Sequence, residues 1–125
     1  MRVLLLEPDR LESRCIADEL SKFDLKIDIA STADDAVVLA DKNKPDAVIL
    51  ELSLPGHSGT EFLYEFRTYP EWADVPIVLY TSAKIPAAIT GGSDWKLLNV
   101  AEQFYKPTDS IQAVVESIVS LVSQE

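Results

Sequence analysis

The feature that most constrains this chain is a change of hydrophobic period, repeated from one end to the other. Short aliphatic or β-branched runs occur at Val3–Leu6, Lys26–Ala30, Ala47–Leu50, Ile77–Tyr80 and Gln103–Tyr105. Between them, apolar residues recur at helical spacing. Leu11, Cys15, Ile16, Leu20 and Phe23 form the first stripe, and Ala36, Val37 and Ala40 the second. Phe62, Leu63 and Phe66 form the third, and Ile111, Val114, Val115, Ile118, Leu121 and Val122 the last. Strand and helix alternating in this way predict a parallel sheet covered by helices on both faces. Val3–Leu6 and Ala47–Leu50 are apolar throughout, as strands buried on both faces should be. Lys26-Ile27-Asp28-Ile29 alternates, which suits an edge strand. Right-handed crossovers leave few topologies. The expected fold is α/β: a flavodoxin-like, three-layer α/β/α arrangement with five parallel strands in the order 2-1-3-4-5 and about five helices.

Several boundaries have a chemical cause. Asp9 is placed to cap the first helix, and Thr108 or Asp109 the last. Asn43-Lys44-Pro45 stops the second helix, because a residue before proline avoids the helical region. Pro55-Gly56 is a turn pair, and Pro70 ends the third helix. The segment Ser82 to Glu102 is interrupted by Pro86 and Gly91-Gly92; a fourth helix there would use Trp95, Leu97, Leu98 and Val100.

At 125 residues the chain is expected to form one domain, residues 1–125. No apolar run approaches the roughly 18 residues that span a bilayer, and Glu7 ends the first run too early for a signal peptide. A cytoplasmic location with no membrane partner is therefore expected. The 21 acidic against 11 basic side chains give a net charge of −10, which repels a phosphate backbone and disfavours nucleic acid. The single cysteine, Cys15, excludes an internal disulfide and is expected to be a small buried hydrophobe. His57, the only histidine, has no partner for a metal site and is expected in solvent.

Open α/β sheets bind ligands beyond the carboxyl ends of their strands, at the switch between the first and third. The first strand runs out into Glu7-Pro8-Asp9, the third into Glu51-Leu52-Ser53, the fourth into Thr81-Ser82 and the fifth into Lys106-Pro107. Carboxylates, a hydroxyl and one ammonium thus converge on one rim from four strand ends.

With these residues in place, the sequence resembles the receiver domain of two-component response regulators. The resemblance covers essentially the whole chain. Its carriers are the opening 3–9, the stretch 45–59 from Pro45-Asp46 to Ser58-Gly59, the stretch 75–83 from Val75-Pro76 to Ser82-Ala83, and Phe104-Tyr105-Lys106-Pro107. In that family an aspartate ending the third strand accepts a phosphoryl group, and an acid pair after the first strand helps bind magnesium. The hydroxyl ending the fourth strand and the lysine ending the fifth contact phosphoryl oxygens. Such a site supplies a positioned nucleophile and cations that neutralise developing charge. Thr81 and Lys106 match, and the resemblance implies a cis bond before Pro107.

Three positions depart from the pattern. Glu51 stands at the phosphoacceptor position, Pro8 replaces the second acid and has no ligand atom, and Gln103 occupies the aromatic switch position. Glu51 carries one extra methylene, and misplacement of a nucleophile by about 1 Å can cost about 100-fold. Three readings of Glu51 stand side by side: an ion pair with Lys106 that closes the pocket, a permanent mimic of the phosphorylated state, and a working phosphoacceptor. Magnesium wants near-octahedral oxygen ligands. Glu7, Glu51 and a carbonyl near Ser53 are weak candidates, and Asp9 is expected to point away as a helix cap. No metal or other cofactor is therefore expected, or at most weak magnesium.

The resemblance implies a signalling receiver of a phosphorelay, here expected to be atypical and phosphorylation-independent and to act by protein–protein contact. The expected partner is another signalling protein, a histidine kinase or an output protein. The face implied is the fourth helix, fifth strand and fifth helix, where Trp95, Gln103 and Tyr105 fall. The alternative is a functional phosphoacceptor using Glu51 with weak magnesium. A more distant alternative, a flavin-binding electron carrier, needs a phosphate loop after the first strand. Glu7-Pro8-Asp9-Arg10 is acidic and glycine-free, so it would repel a phosphate. No Ser–His or Cys–His arrangement is visible, so enzymatic activity is not expected.

Overall fold

The structure is a computed structural model and describes residues 1–56, 58–86 and 95–123, with Trp95 described in its backbone alone. Five strands alternate with helices: β1 Arg2–Leu6, α1 Arg10–Leu20, β2 Lys26–Ala30, α2 Ala33–Lys42, β3 Ala47–Leu50, α3 Gly59–Thr68, β4 Ile77–Thr81, α4 Trp95–Leu98, β5 Val100–Tyr105 and α5 Ile111–Ser123. A single 3-10 turn, Pro70–Trp72, follows α3. All strand pairs are parallel, and the order is β2-β1-β3-β4-β5, as the periodicity predicts.

Side chains alternate across a strand, and this divides the core into two layers. Leu4, Leu6, Val48, Leu50, Ile77 and Leu79 pack with Ala36 and Ala40 of α2, Phe62 and Phe66 of α3, and Leu98 of α4. Val3, Leu5, Ile49, Val78 and Tyr80 point the other way, against Ile16 and Leu20 of α1 and Val114, Val115 and Ile118 of α5. No helix among the described residues is long and apolar enough to cross a membrane.

Local chemistry sets the boundaries. Asp9 caps α1 by accepting the Glu12 N–H at 3.0 Å, and Thr32 and Ser58 cap α2 and α3 in the same way. The cap of α5 is Ser110, whose hydroxyl accepts the Ala113 N–H, and neither Thr108 nor Asp109 takes that place. Asp109 is engaged one step earlier, accepting the Tyr105 N–H at 2.7 Å. Gly56 adopts φ +83° in the turn after β3. Gly59 answers a different demand: a Cβ there would lie 2.4 Å from the Leu52 Cα and 2.8 Å from the Glu51 carbonyl oxygen.

The structure corrects several expectations. Cys15 is exposed, because the buried stripe of α1 runs Ser13, Ile16, Leu20 and leaves Cys15 facing the groove between α1 and α5. Leu11 and Phe23 are also exposed. The strand β5 starts at Val100, three residues earlier than its apolar run suggests. Ile77 lies opposite Val100 and Val78 opposite Glu102, so Ala101 is the extra residue of a β-bulge and the pattern breaks there. Of the fourth-helix residues, Leu98 is fully buried while Leu97 is exposed. The bond before Pro107 is trans. His57, Gly91, Gly92 and the Trp95 side chain lie outside the described residues.

Arg67 fixes the start of β5. Its buried guanidinium donates to four carbonyls: Leu98 at 2.8 Å and Asn99 at 3.1 Å, where α4 meets β5, and Trp72 at 2.9 Å and Ala73 at 3.1 Å after the 3-10 turn. The planar, five-donor fork of arginine suits this task. Burial lowers the Arg67 pKa, and the charge of Asp74 offsets part of that cost.

Candidate functional site: a rim closed by internal charges

Pairing of the strands brings the predicted rim residues together. The Glu51 N–H donates to the Leu6 carbonyl and the Lys106 N–H to the Thr81 carbonyl, so the four strand ends are stitched side by side. The Glu7 and Glu51 side chains are 3% and 4% exposed, and Lys106 is 17% exposed.

The ammonium of Lys106 lies between the two carboxylates. It is 2.5 Å from Glu7 Oε1 and 2.9 Å from Glu51 Oε1, and it sits 5.5 Å from the ring centroid of Tyr80. The Glu51–Lys106 pair expected from sequence is thus present, and Glu7 joins it as a third member. The second oxygen of Glu7 accepts the Asp9 N–H at 3.1 Å.

Glu51 collects the most donors. Its Oε2 accepts the Ser53 N–H at 3.0 Å and the Thr81 hydroxyl. Its Oε1 accepts Lys106 and, at 3.3 Å, the Ser82 N–H, with the Ser82 hydroxyl at 3.5 Å. Thr81, fully buried, accepts the Ala83 N–H on the same hydroxyl oxygen at 3.0 Å. No buried side-chain polar atom among the described residues lacks a partner. A charge buried this deeply is tolerable only when it is paired and hydrogen-bonded, and each of the three charges is.

The electrostatics differ between the two carboxylates. Burial pushes Glu51 up, but the hydrogen bonds from Thr81, Ser53 and Lys106 outweigh it and hold its carboxyl below the usual range. Burial also pushes Glu7 up; Lys106 and the Asp9 amide offset only part of that, and the Glu51 charge adds to it, so Glu7 stays above the usual range. Burial would lower Lys106, yet its hydrogen bonds to Glu7 and Glu51 raise it. Two anions thus share one cation, and their proton affinities are pushed apart.

The remaining predicted residues are placed less centrally. Asp9 is exposed and spends one side-chain oxygen as the α1 cap. Pro8 follows Glu7 and offers no donor or acceptor side chain. Ser53 contributes its backbone N–H to Glu51. Gln103 lies exposed on β5. Ser82, read from sequence only as part of a strand end, proves to be a direct partner of Glu51 through its N–H. Among the described residues no group of three or more His, Cys, Asp or Glu is arranged to hold a metal ion.

Residues 3–94 match the response regulator receiver domain, a span that carries the Glu7, Glu51 and Thr81 ends of the rim. The chain belongs to that family. This receiver domain is 30% identical over 98 residues to the KDP operon transcriptional regulatory protein KdpE of Escherichia coli, a match covering 74% of this chain and 42% of that protein. It is 31% identical over 80 residues to protein Rrf1 of Nitratidesulfovibrio vulgaris, covering 64% of this chain and 58% of that one. The chain therefore spans about half the length of these relatives. Among solved structures, a sensor protein from Polaromonas sp. JS666 superposes with a TM-score of 0.84 at 21% identity, covering 98% of this chain and 96% of that one. The non-phosphorylated HemR receiver domain of Leptospira biflexa gives 0.82 at 22%, covering 98% and 94%. These structural likenesses carry the fold. The family carries the coarse function, a receiver domain of two-component signalling that works with other signalling proteins.

Proposed function

We propose that this receiver domain signals without being phosphorylated, as a module for protein–protein contact. The observation that carries this reading is the position of Lys106 between Glu7 and Glu51. The Thr81 hydroxyl and the Ser53 and Ser82 N–H groups already meet the Glu51 carboxylate, and the Lys106 ammonium is shared between Glu51 and Glu7. Phosphorylation of Glu51 would require breaking a buried ion pair and the Thr81, Ser53 and Ser82 hydrogen bonds together.

The residues present do not fit the magnesium ion that the family implies. Magnesium needs near-octahedral oxygen ligands at 2.0–2.1 Å. Glu7 and Glu51 already hold an ammonium where a cation would sit, Pro8 supplies no oxygen, and the Asp9 side chain caps α1. The acidic, glycine-free loop after β1 argues against a flavin phosphate.

The partner we propose is another signalling protein, a histidine kinase or an output protein, met by the face formed by α4, β5 and α5 in the cytoplasm. Tyr105 and Leu97 are large apolar side chains exposed on the first two of these elements. The net charge of −10 argues against direct binding to nucleic acid. Incubation with a small phosphodonor and magnesium, followed by intact-mass measurement, tests the proposal. The mass is expected to stay unchanged in wild type and in Glu51→Gln. Stoichiometric gain of one phosphoryl group in wild type, absent from the variant, would replace this reading with phosphoacceptance by Glu51.

A further inference from the structure

One aromatic ring lies against the charges of the rim. The β4 strand is aliphatic through Ile77, Val78 and Leu79 and then places Tyr80 directly before Thr81. Tyr80 belongs to the core layer that faces α1 and α5, with Val3, Leu5, Ile49 and Val78, and is 4% exposed. The Lys106 ammonium sits over this ring, 5.5 Å from its centroid, while Glu7 and Glu51 hold it at 2.5 and 2.9 Å. An ammonium has three N–H donors. Two are directed at the carboxylates, and no other acceptor among the described residues meets the third. A cation within about 6 Å of a ring centroid is attracted by the negative face of the ring, and the attraction grows where water is excluded.

We propose that Tyr80 is a positioning residue: the face of its ring holds the Lys106 ammonium between Glu7 and Glu51 and keeps the amine out of reach of external anions and electrophiles. An aliphatic side chain of similar size would fill the same core layer, but it would set a surface without a quadrupole against a buried charge. This role rests on the reading of a pocket closed by its own charges, and it names a group outside the three ion-paired residues that keeps it closed.

The surroundings of Tyr80 suit this task. Its phenol faces Glu12 of α1, Glu7 at the end of β1, and Lys106 and Asp109 around the turn before α5. Burial first and Glu12 next raise its pKa; Glu7 and Asp109 add to the rise and Lys106 offsets part of it, so the ring stays neutral while Lys106 is charged. Asp109 anchors the same corner. Its carboxylate accepts the Tyr105 N–H at 2.7 Å, and its own N–H donates to the Tyr105 carbonyl at 2.7 Å, which brackets Lys106 between fixed backbone positions.

Acylation of the intact chain with trace acetic anhydride at mildly alkaline pH, read by peptide mass spectrometry, tests this, with the exposed Lys84 as internal reference. In wild type, Lys106 is expected to react far more slowly than Lys84. Tyr80→Phe keeps the ring and should leave the Lys106 rate within about twofold of wild type, whereas Tyr80→Leu should speed it about fivefold or more, the size expected for a desolvated cation–ring contact. Phenylalanines carrying one, two and three ring fluorines at position 80 form a second series. They retain the shape and weaken the negative face step by step, so Lys106 should react faster with each fluorine. A role in packing alone would not follow the fluorine count, and this series decides the matter by itself if Tyr80→Leu does not fold. A wild-type Lys106 as reactive as Lys84, a Lys106 as slow in folded Tyr80→Leu as in wild type, no trend with fluorine, or Tyr80→Phe as fast as Tyr80→Leu would each overturn the proposal. Phosphoryl uptake is a separate readout: its appearance in wild type would sink the closed-pocket reading, whereas unchanged acylation without phosphoryl uptake would sink the role of Tyr80 alone.

Discussion

Lys106→Met removes the cation that lies between two buried carboxylates and so puts a large stress on this pocket. Glu7 and Glu51, 3% and 4% exposed, are left facing each other across the space that the ammonium occupied. Breaking a buried pair by removing one partner costs about 3–5 kcal/mol. Lys106 is the most exposed of the three, so the low end, about 3 kcal/mol, is expected. An unfolding entropy near 2.1 cal/mol/K per residue over 125 residues gives about 260 cal/mol/K, which turns that loss into a fall in Tm of about 11 °C. The pH dependence carries the sharper signature. Without Lys106, burial is opposed by fewer hydrogen bonds, and both carboxyls rise above their ordinary values in the folded state. The folded state then binds more protons than the unfolded state, so stability rises as pH falls from about 8 to about 5. Thermal melts of wild type and variant across that range provide the assay. A loss below about 1 kcal/mol, the size of an exposed pair, together with a flat pH profile, would refute the placement of the ammonium between buried anions.

Three further outcomes follow from the same geometry. Glu7→Gln removes the carboxylate whose folded pKa is raised. A raised carboxyl contributes stability that is fully present below its unfolded pKa near 4.5 and is lost as pH rises through the folded value, so the variant should match or exceed wild type at neutral pH and lose the wild-type gain on mild acidification, measured by urea unfolding at pH 7 and pH 5. Gly59→Ala should destabilise by about 2–3 kcal/mol in the same assay, because its Cβ would meet backbone atoms of Glu51 and Leu52 that cannot swing aside. Arg67→Met removes a donor shared by four carbonyls, of which Trp72 keeps the Val75 N–H, and should cost about 3 kcal/mol, with faster amide exchange around Asn99 and Val100; retention of wild-type exchange there would mean that another group holds α4 to β5.

Much of the fold was legible because period is a local property. Val3–Leu6 and Ala47–Leu50 announce buried parallel strands, and both are buried throughout. The rim was legible because topology dictates that strand ends meet there, which brings Glu7, Glu51, Thr81 and Lys106 together from sequence alone. What escaped depended on phase or on long-range partners. Cys15 lies one residue from the buried Ile16, and a 100° turn of the helix is enough to put it outside. The bulge at Ala101 hid the first half of β5, since two residues face one and the apolar pattern breaks. Arg67 reads as a solvent-facing cation at a helix end, and nothing local reveals that Leu98 and Asn99, more than thirty residues away, present carbonyls to it. From sequence, Lys106 reads as the partner of Glu51 and a counter-charge for the acidic rim, with no direct pairing to Glu7 specified. The pairing with Glu7 needs the separation of β1 from β5, which only the assembled sheet supplies.

Glu7 and Glu51 share Lys106 inside the pocket, with Glu51 as the fully bonded member. Following the two side-chain carboxyl carbons by NMR through a pH titration tests it most directly. They are expected to titrate apart, Glu51 below and Glu7 above the ordinary carboxylate value of 4.5, with Lys106 remaining charged beyond the ordinary 10.5. Two carboxyls titrating together near the ordinary value, with Lys106 losing its proton at its own, would contradict it.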